Sequence, residues 1–203
     1  MKTKLILTAI TTLAAGALYA ADVPPVGSAA PDFSAPDANG KTQSLSEYKG
    51  KYVVLEWFNP ECPFVKKHYG GGNMQKQQAD ASAAGVIWLT INSSAAGKQG
   101  DVNAAEANAY IAKVGGKQTA YLLDTSGKVG HLYGAKTTPH MYVIDKAGVL
   151  RYMGGIDSIK STDIDDLAKA TQYVPQALSE LAAGKPVSVP TAEPYGCSVE
   201  YGS

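Results

Sequence analysis

The feature that most narrows the folds open to this chain is a junction at residues 52–63. Residues 52–57, Tyr-Val-Val-Leu-Glu-Trp, are aromatic, β-branched or apolar apart from one glutamate, and they lie between Gly50 and Asn59-Pro60. A run of this kind, with no polar alternation, suits a strand covered on both faces, which requires helices on either side of a largely parallel sheet. Just beyond it, Cys62-Pro63 opens a helical stretch, with the proline in the first turn where its missing N–H is not needed. A cysteine at a helix start faces unpaired N–H groups and the positive end of the dipole, and both favour its thiolate. Lys66 and Lys67, one turn on, are expected to add positive potential, with Glu61 opposing it.

The rest of the chain repeats the strand–helix alternation. Residues 32–35 and 42–45 read as a hairpin around Asp37-Ala38-Asn39-Gly40. Gly70-Gly71-Gly72 stops the helix that begins at Pro63, and Asn73 is the expected N-cap of a second helix over 74–84. Strands follow at 86–91 and 120–123, with a helix over 101–114 between them and another over 128–133 closed by Gly134. Residues 141–145 and 149–153 form a second hairpin around Lys146-Ala147-Gly148. A last helix is expected over 163–183, bent or broken near Pro175. The pattern predicts one α/β domain, residues 21–185, with a parallel sheet extended by an antiparallel edge. Residues 186–203 carry three prolines and no periodicity, and are expected to form an extended, mobile tail holding Cys197.

The first 20 residues bear on location. Lys2 and Lys4 precede an unbroken apolar and small-residue run over 5–18, ending in Tyr19-Ala20-Ala21-Asp22. That is the pattern of a secretory signal peptide cut after Ala20, too short to span a membrane, so a periplasmic or secreted protein is expected. Taking Lys2 and Lys4 from the 18 basic residues leaves 16 against 18 acidic, a net of −2. With a single arginine, Arg151, such a surface offers no footprint for nucleic acid or an anionic membrane. Two cysteines, Cys62 and Cys197, do not make a disulfide scaffold in a domain of this size. In an oxidising compartment they are paired with each other, kept reduced by a partner, or chemically active.

Several segments resemble a known family. Residues 26–33 (Val-Gly-Ser-Ala-Ala-Pro-Asp-Phe), 45–51 (Leu-Ser-Glu-Tyr-Lys-Gly-Lys) and 53–62 are similar to the opening of the alkyl hydroperoxide reductase/thiol-specific antioxidant (redoxin) branch of the thioredoxin superfamily. Residues 133–139, ending in Thr137-Thr138-Pro139, and 142–148 resemble its cis-proline loop and following strand, while Gly196-Cys197-Ser198 is similar to the ending of its peroxiredoxin-like thioredoxin subgroup. The resemblance implies a thioredoxin-like three-layer α/β/α sandwich with a mixed central sheet and an N-terminal β-hairpin. It implies a Thr138–Pro139 cis peptide facing Cys62 and offering backbone groups to an extended substrate.

The departures from the family's motifs bear on mechanism. The second cysteine of Cys-x-x-Cys falls on Val65, and the second cysteine of a copper-delivering relative's Cys-x-x-x-Cys falls on Lys66. The proline and threonine of Pro-x-x-x-Thr-x-x-Cys fall on Leu55 and Asn59, and the peroxide-positioning arginine falls at about Pro139. No metal or cofactor is therefore expected. The reading is a thiol oxidoreductase in which Cys62 attacks a small-molecule peroxide or a protein disulfide, and Cys197 or an external thiol reductant resolves the product. Asn59, Pro63, Phe64, Thr138, Pro139 and His140 are the expected substrate contacts, with Asn59 and the helix-start N–H groups stabilising negative charge. His140 is read either as a base near Cys62 or as a strand histidine bonded to a neighbouring carbonyl; His68 and His131 are read as structural. A homodimer is compatible with this reading. The rival is a non-catalytic thioredoxin-fold binding protein stapled by a Cys62–Cys197 disulfide.

Overall fold

A computed structural model describes residues 23–202, so the expected signal peptide and cleavage point lie outside the described residues. Strands β1 (Ser34–Pro36) and β2 (Thr42–Ser44) form the expected antiparallel hairpin. The Asp37 carboxylate builds its turn by accepting from the N–H groups of Asn39 and Lys41 and from Gln43 Nε2.

The central sheet contains β3 (Val53–Trp57), β4 (Ile87–Asn92), β5 (Ala120–Leu123), β7 (His140–Ile144) and β8 (Leu150–Gly154), in the order β5-β4-β3-β7-β8. The pairs β3–β4 and β4–β5 are parallel, whereas β7 and β8 run antiparallel, as a sheet closed by a hairpin requires. Every residue of β3 is buried, and its side chains divide between two cores. Val53, Leu55 and Trp57 enter a core with Phe33, Val129 and Tyr133; Val54 joins Val65, Met74 and Val174 on the opposite face. Helices α1 (Pro63–Gly70), α2 (Asn73–Ala83), α3 (Ala104–Val114) and α5 (Tyr173–Ala182) contribute to the second core. Helix α4 (Lys128–Tyr133) and the N-terminal hairpin contribute to the first. No helix among the described residues is long and apolar enough to cross a membrane.

Three local expectations need correction. Asn73 does not cap α2: Gly72, in the left-handed region, precedes it, and the Asn73 amide reaches His68 Nδ1 at 2.8 Å and Gln172 Oε1 at 3.0 Å. Helix α3 begins at Ala104 because Asn103 and Glu106 form a reciprocal capping box there. The last helix breaks well before Pro175, leaving a 3₁₀ turn at Ile164–Asp166 and then α5. Gln172, the residue before α5, bridges back to Asp157, which lies ahead of the 3₁₀ turn. Pro175 lies in the first turn of α5, where no intrahelical acceptor awaits an N–H.

The tail is extended, but it is also packed onto the domain. It runs beside β8 through the Met153–Thr191 bridge, and then adds β9 (Cys197–Ser198) antiparallel to β6 (Thr137–Thr138). Its end is held by a 2.8 Å hydrogen bond from Ala95 N–H to the Glu200 carbonyl and by Tyr201 stacked on His131.

Candidate active site

Cys62 is the N-cap residue of α1, with extended backbone geometry (φ −65°, ψ 125°) ahead of Pro63. Its side chain is fully buried, and the thiol donates to the Thr138 carbonyl at 3.0 Å. The Thr138–Pro139 peptide is cis. The β6–β9 register sets Cys197 directly opposite Thr138, which brings the two sulfurs together as unbonded thiols, Cys62 buried and Cys197 partly exposed. Gly196 makes this approach possible: at φ +134° it sits where a Cβ would lie 2.0 Å from the Thr138 carbonyl oxygen.

The two thiols differ in acidity. Burial pulls the Cys62 pKa upward, but hydrogen bonds from the Cys197 thiol, the Thr138 hydroxyl and the N–H groups of Val65 and Cys197 outweigh it, and the net direction is down. Burial, and then the proton shared with Cys62, pushes Cys197 up to about 12. The first proton the pair loses is therefore the one on Cys62. The Thr138 hydroxyl is buried and has no other hydrogen-bond partner. Buried polar groups are rarely left unbonded, and ionisation of Cys62 supplies this one with an acceptor.

Other expected contacts are placed differently. Asn59 has both side-chain atoms engaged locally: Oδ1 accepts from Glu61 N–H at 2.8 Å and Nδ2 donates to the Gln99 carbonyl at 3.3 Å. It shapes the loop before Cys62, and these bonds use one of the two Nδ2 hydrogens. Lys67 does not face the thiol; its side chain is fully buried in an ion pair with Asp157. His140 accepts from Lys136 N–H at 3.3 Å and lies 3.2 Å from the Tyr142 hydroxyl. Burial, and then the Lys136 charge, holds His140 down at about 3, which removes it as an ion-pair partner for a thiolate. Pro63 is exposed beside Cys62, whereas Phe64 is partly buried and packs edge-on against Tyr195, with centroids 5.6 Å apart.

Sequence reasoning missed Asp157 and Tyr195. Asp157 is buried among Lys67, His68 and Tyr195, so that three segments distant in sequence meet in space. The one available signal was Tyr195, an aromatic residue two positions before Cys197. Among the described residues, no group of three or more His, Cys, Asp or Glu side chains is arranged to hold a metal ion.

The AhpC/TSA family model matches residues 26–153. Peroxiredoxin Q, chloroplastic, of Triticum aestivum is 32% identical over 136 residues, covering 63% of this chain and 57% of that protein. The chain thus spans little more than half the length of that relative. A hypothetical protein from Sinorhizobium meliloti 1021 superposes with a TM-score of 0.75 at 25% identity, covering 90% of this chain and 97% of the other. The thioredoxin domain of a thiol-disulfide oxidoreductase from Bacteroides vulgatus superposes at 0.52 and 18% identity, covering 71% and 96%. The shared architecture is the thioredoxin fold.

Proposed function

Because the chain belongs to the AhpC/TSA family, we propose that it is an extracytoplasmic thiol oxidoreductase with Cys62 as the attacking sulfur and Cys197 as the resolving sulfur. The observation that carries this reading is the asymmetry of the pair. The sulfur at the helix start has its acidity raised by donors, and its neighbour keeps its proton.

In exchange with a disulfide, the Cys62 thiolate attacks one sulfur, forms a mixed disulfide and expels the other as a thiolate. Cys197 passes its proton to a base, attacks the Cys62 sulfur and expels the second thiol, leaving a Cys62–Cys197 disulfide. With a peroxide, the Cys62 thiolate attacks one oxygen, the O–O bond breaks and the other oxygen leaves as an alcohol or water; condensation of the resulting sulfenic acid with Cys197 releases water and gives the same disulfide. An external dithiol then reduces it. Arg151, the sole arginine, pairs with Asp145 at 2.6 Å and is not among the groups that tune Cys62. With no guanidinium to receive a departing oxygen, the site favours disulfide exchange over peroxide cleavage.

The test is stoichiometric oxidation of the reduced mature protein by one equivalent of glutathione disulfide or of hydrogen peroxide, with both thiols counted by alkylation and mass. Loss of both thiols, faster with the disulfide, is expected. If neither oxidant consumes them, the assignment fails. The packing of the tail also suits the binding-protein reading, in which the oxidised pair is a permanent staple that glutathione does not reopen.

A further inference from the structure

The tail covers the site it serves. Residues 195–201 pass over a Cys62 side chain with no exposed surface, and Cys197 and Ser198 take the backbone pairing positions of Thr137 and Thr138. An incoming chain would need the same backbone groups, so the docked tail and an external substrate compete for one place.

What holds the tail down is a buried polar cluster beneath α1. The Tyr195 ring packs against Phe64, and its hydroxyl donates to Asp157 Oδ1. The other oxygen of Asp157, Oδ2, lies 3.6 Å from Lys67 Nζ and 3.7 Å from His68 Nε2, and all three side chains are fully buried. Lys67 Nζ also donates to the Ile159 carbonyl at 3.4 Å. Burial, and then the Lys67 charge, keeps His68 down at about 4, so Asp157 faces one cation and a neutral ring. Sequestering these charges is costly, and such clusters are retained where they specify one arrangement over another. Lys67 and His68 belong to the helix that Cys62 starts, and Tyr195 lies two residues before Cys197. The cluster thus ties the tail to the attacking cysteine's own helix.

We propose that Tyr195 and Asp157 are positioning residues that latch the tail over Cys62, so that external substrates meet the reactive sulfur only from the unlatched state. The proposal rests on the oxidoreductase reading for the identity of the reactive sulfur, but the latch can be measured without turnover. When a competent state is only fractionally populated, the observed rate is the intrinsic rate multiplied by that fraction. A hydrogen bond to a charged group is strong enough that deleting it shifts such a population by about tenfold or more.

The experiment uses the Cys197→Ser protein, in which Cys62 is the sole thiol, and follows iodoacetamide labelling across pH. The plateau rate at high pH reports access, separately from acidity. Tyr195→Phe, which keeps the ring and removes the hydroxyl, is expected to raise the plateau about tenfold. Gly196→Ala, whose added methyl meets the Thr138 carbonyl, is expected to raise it as well. Lys76→Ala, which breaks an exposed ion pair on α2, serves as the control and leaves it unchanged. The proposal is overturned if both tail variants label at the parent rate. It is equally overturned if acceleration appears only with loss of a cooperative thermal melt, which would mark general loosening. If the variants label faster while the two-cysteine protein consumes neither glutathione disulfide nor peroxide, the latch stands and the oxidoreductase reading falls.

Discussion

Replacing Cys197 with alanine isolates what the tail does to the acidity of Cys62. The Cys197 thiol is the leading hydrogen-bond donor to the Cys62 sulfur, ahead of the Thr138 hydroxyl and the Val65 and Cys197 N–H groups. Alanine removes that donor and leaves the others in place. A hydrogen bond to an ionised acceptor is worth about 1.5–3 kcal/mol, so the thiolate fraction of Cys62 below its midpoint should fall about tenfold or more. The sign follows from the chemistry: a lost donor destabilises the anion, so the midpoint moves up. Cys197→Ser keeps an O–H donor and should lie between the parent and alanine proteins. The assay is thiolate absorbance in the ultraviolet against pH, read beside the pH profile of iodoacetamide labelling. The midpoint of that profile reports acidity and its plateau reports exposure, so loosening of the tail cannot be mistaken for a change in acidity. The parent midpoint is expected below the ordinary cysteine value of about 8.5. A midpoint that stays fixed in the alanine protein would refute the reasoning and leave activation to the Thr138 hydroxyl and the backbone N–H groups.

Three further outcomes are expected. Reduced Cys197→Ser, treated with glutathione disulfide, should accumulate a Cys62–glutathione adduct by mass with little change in its urea melt; a trapped adduct is not expected if the pair is a staple. In that case, reducing the wild-type disulfide, which closes a loop of 135 residues (197 minus 62), should cost on the order of 5 kcal/mol. Intact mass of the protein from its native host should correspond to a chain beginning at Ala21, and a soluble form retaining residues 1–20 would count against export. Glu56 on β3 is fully buried and accepts from Tyr69, Gln78, Trp88 and Thr90. Glu56→Gln leaves some of those donors unpaired and should lower stability in urea by about 1–3 kcal/mol with m unchanged.

The order and type of most elements could be read from the chain alone, because they rest on local physics. Residues 53–57 are apolar enough to be covered on both faces, Pro63 can only begin a helix after Cys62, and Asp37 to Gly40 carries its own turn chemistry. The cis Thr138–Pro139 bond was legible from family resemblance alone, since no local signal separates it from a trans turn. The break before α5 was misplaced at Pro175, because proline is costly inside a helix and harmless in its first turn, and nothing local says which position it holds. Tertiary structure alone decided the site. Asn59 is oriented by bonds to Glu61 and Gln99 that no local pattern announces; Lys67 had the right charge and is buried against Asp157. Cys197 meets Cys62 through one strand pairing, a close approach at Gly196 and a tyrosine held by a distant aspartate. Periodicity and propensity describe which face of an element is buried, whereas a side chain's partner depends on where every other element comes to rest.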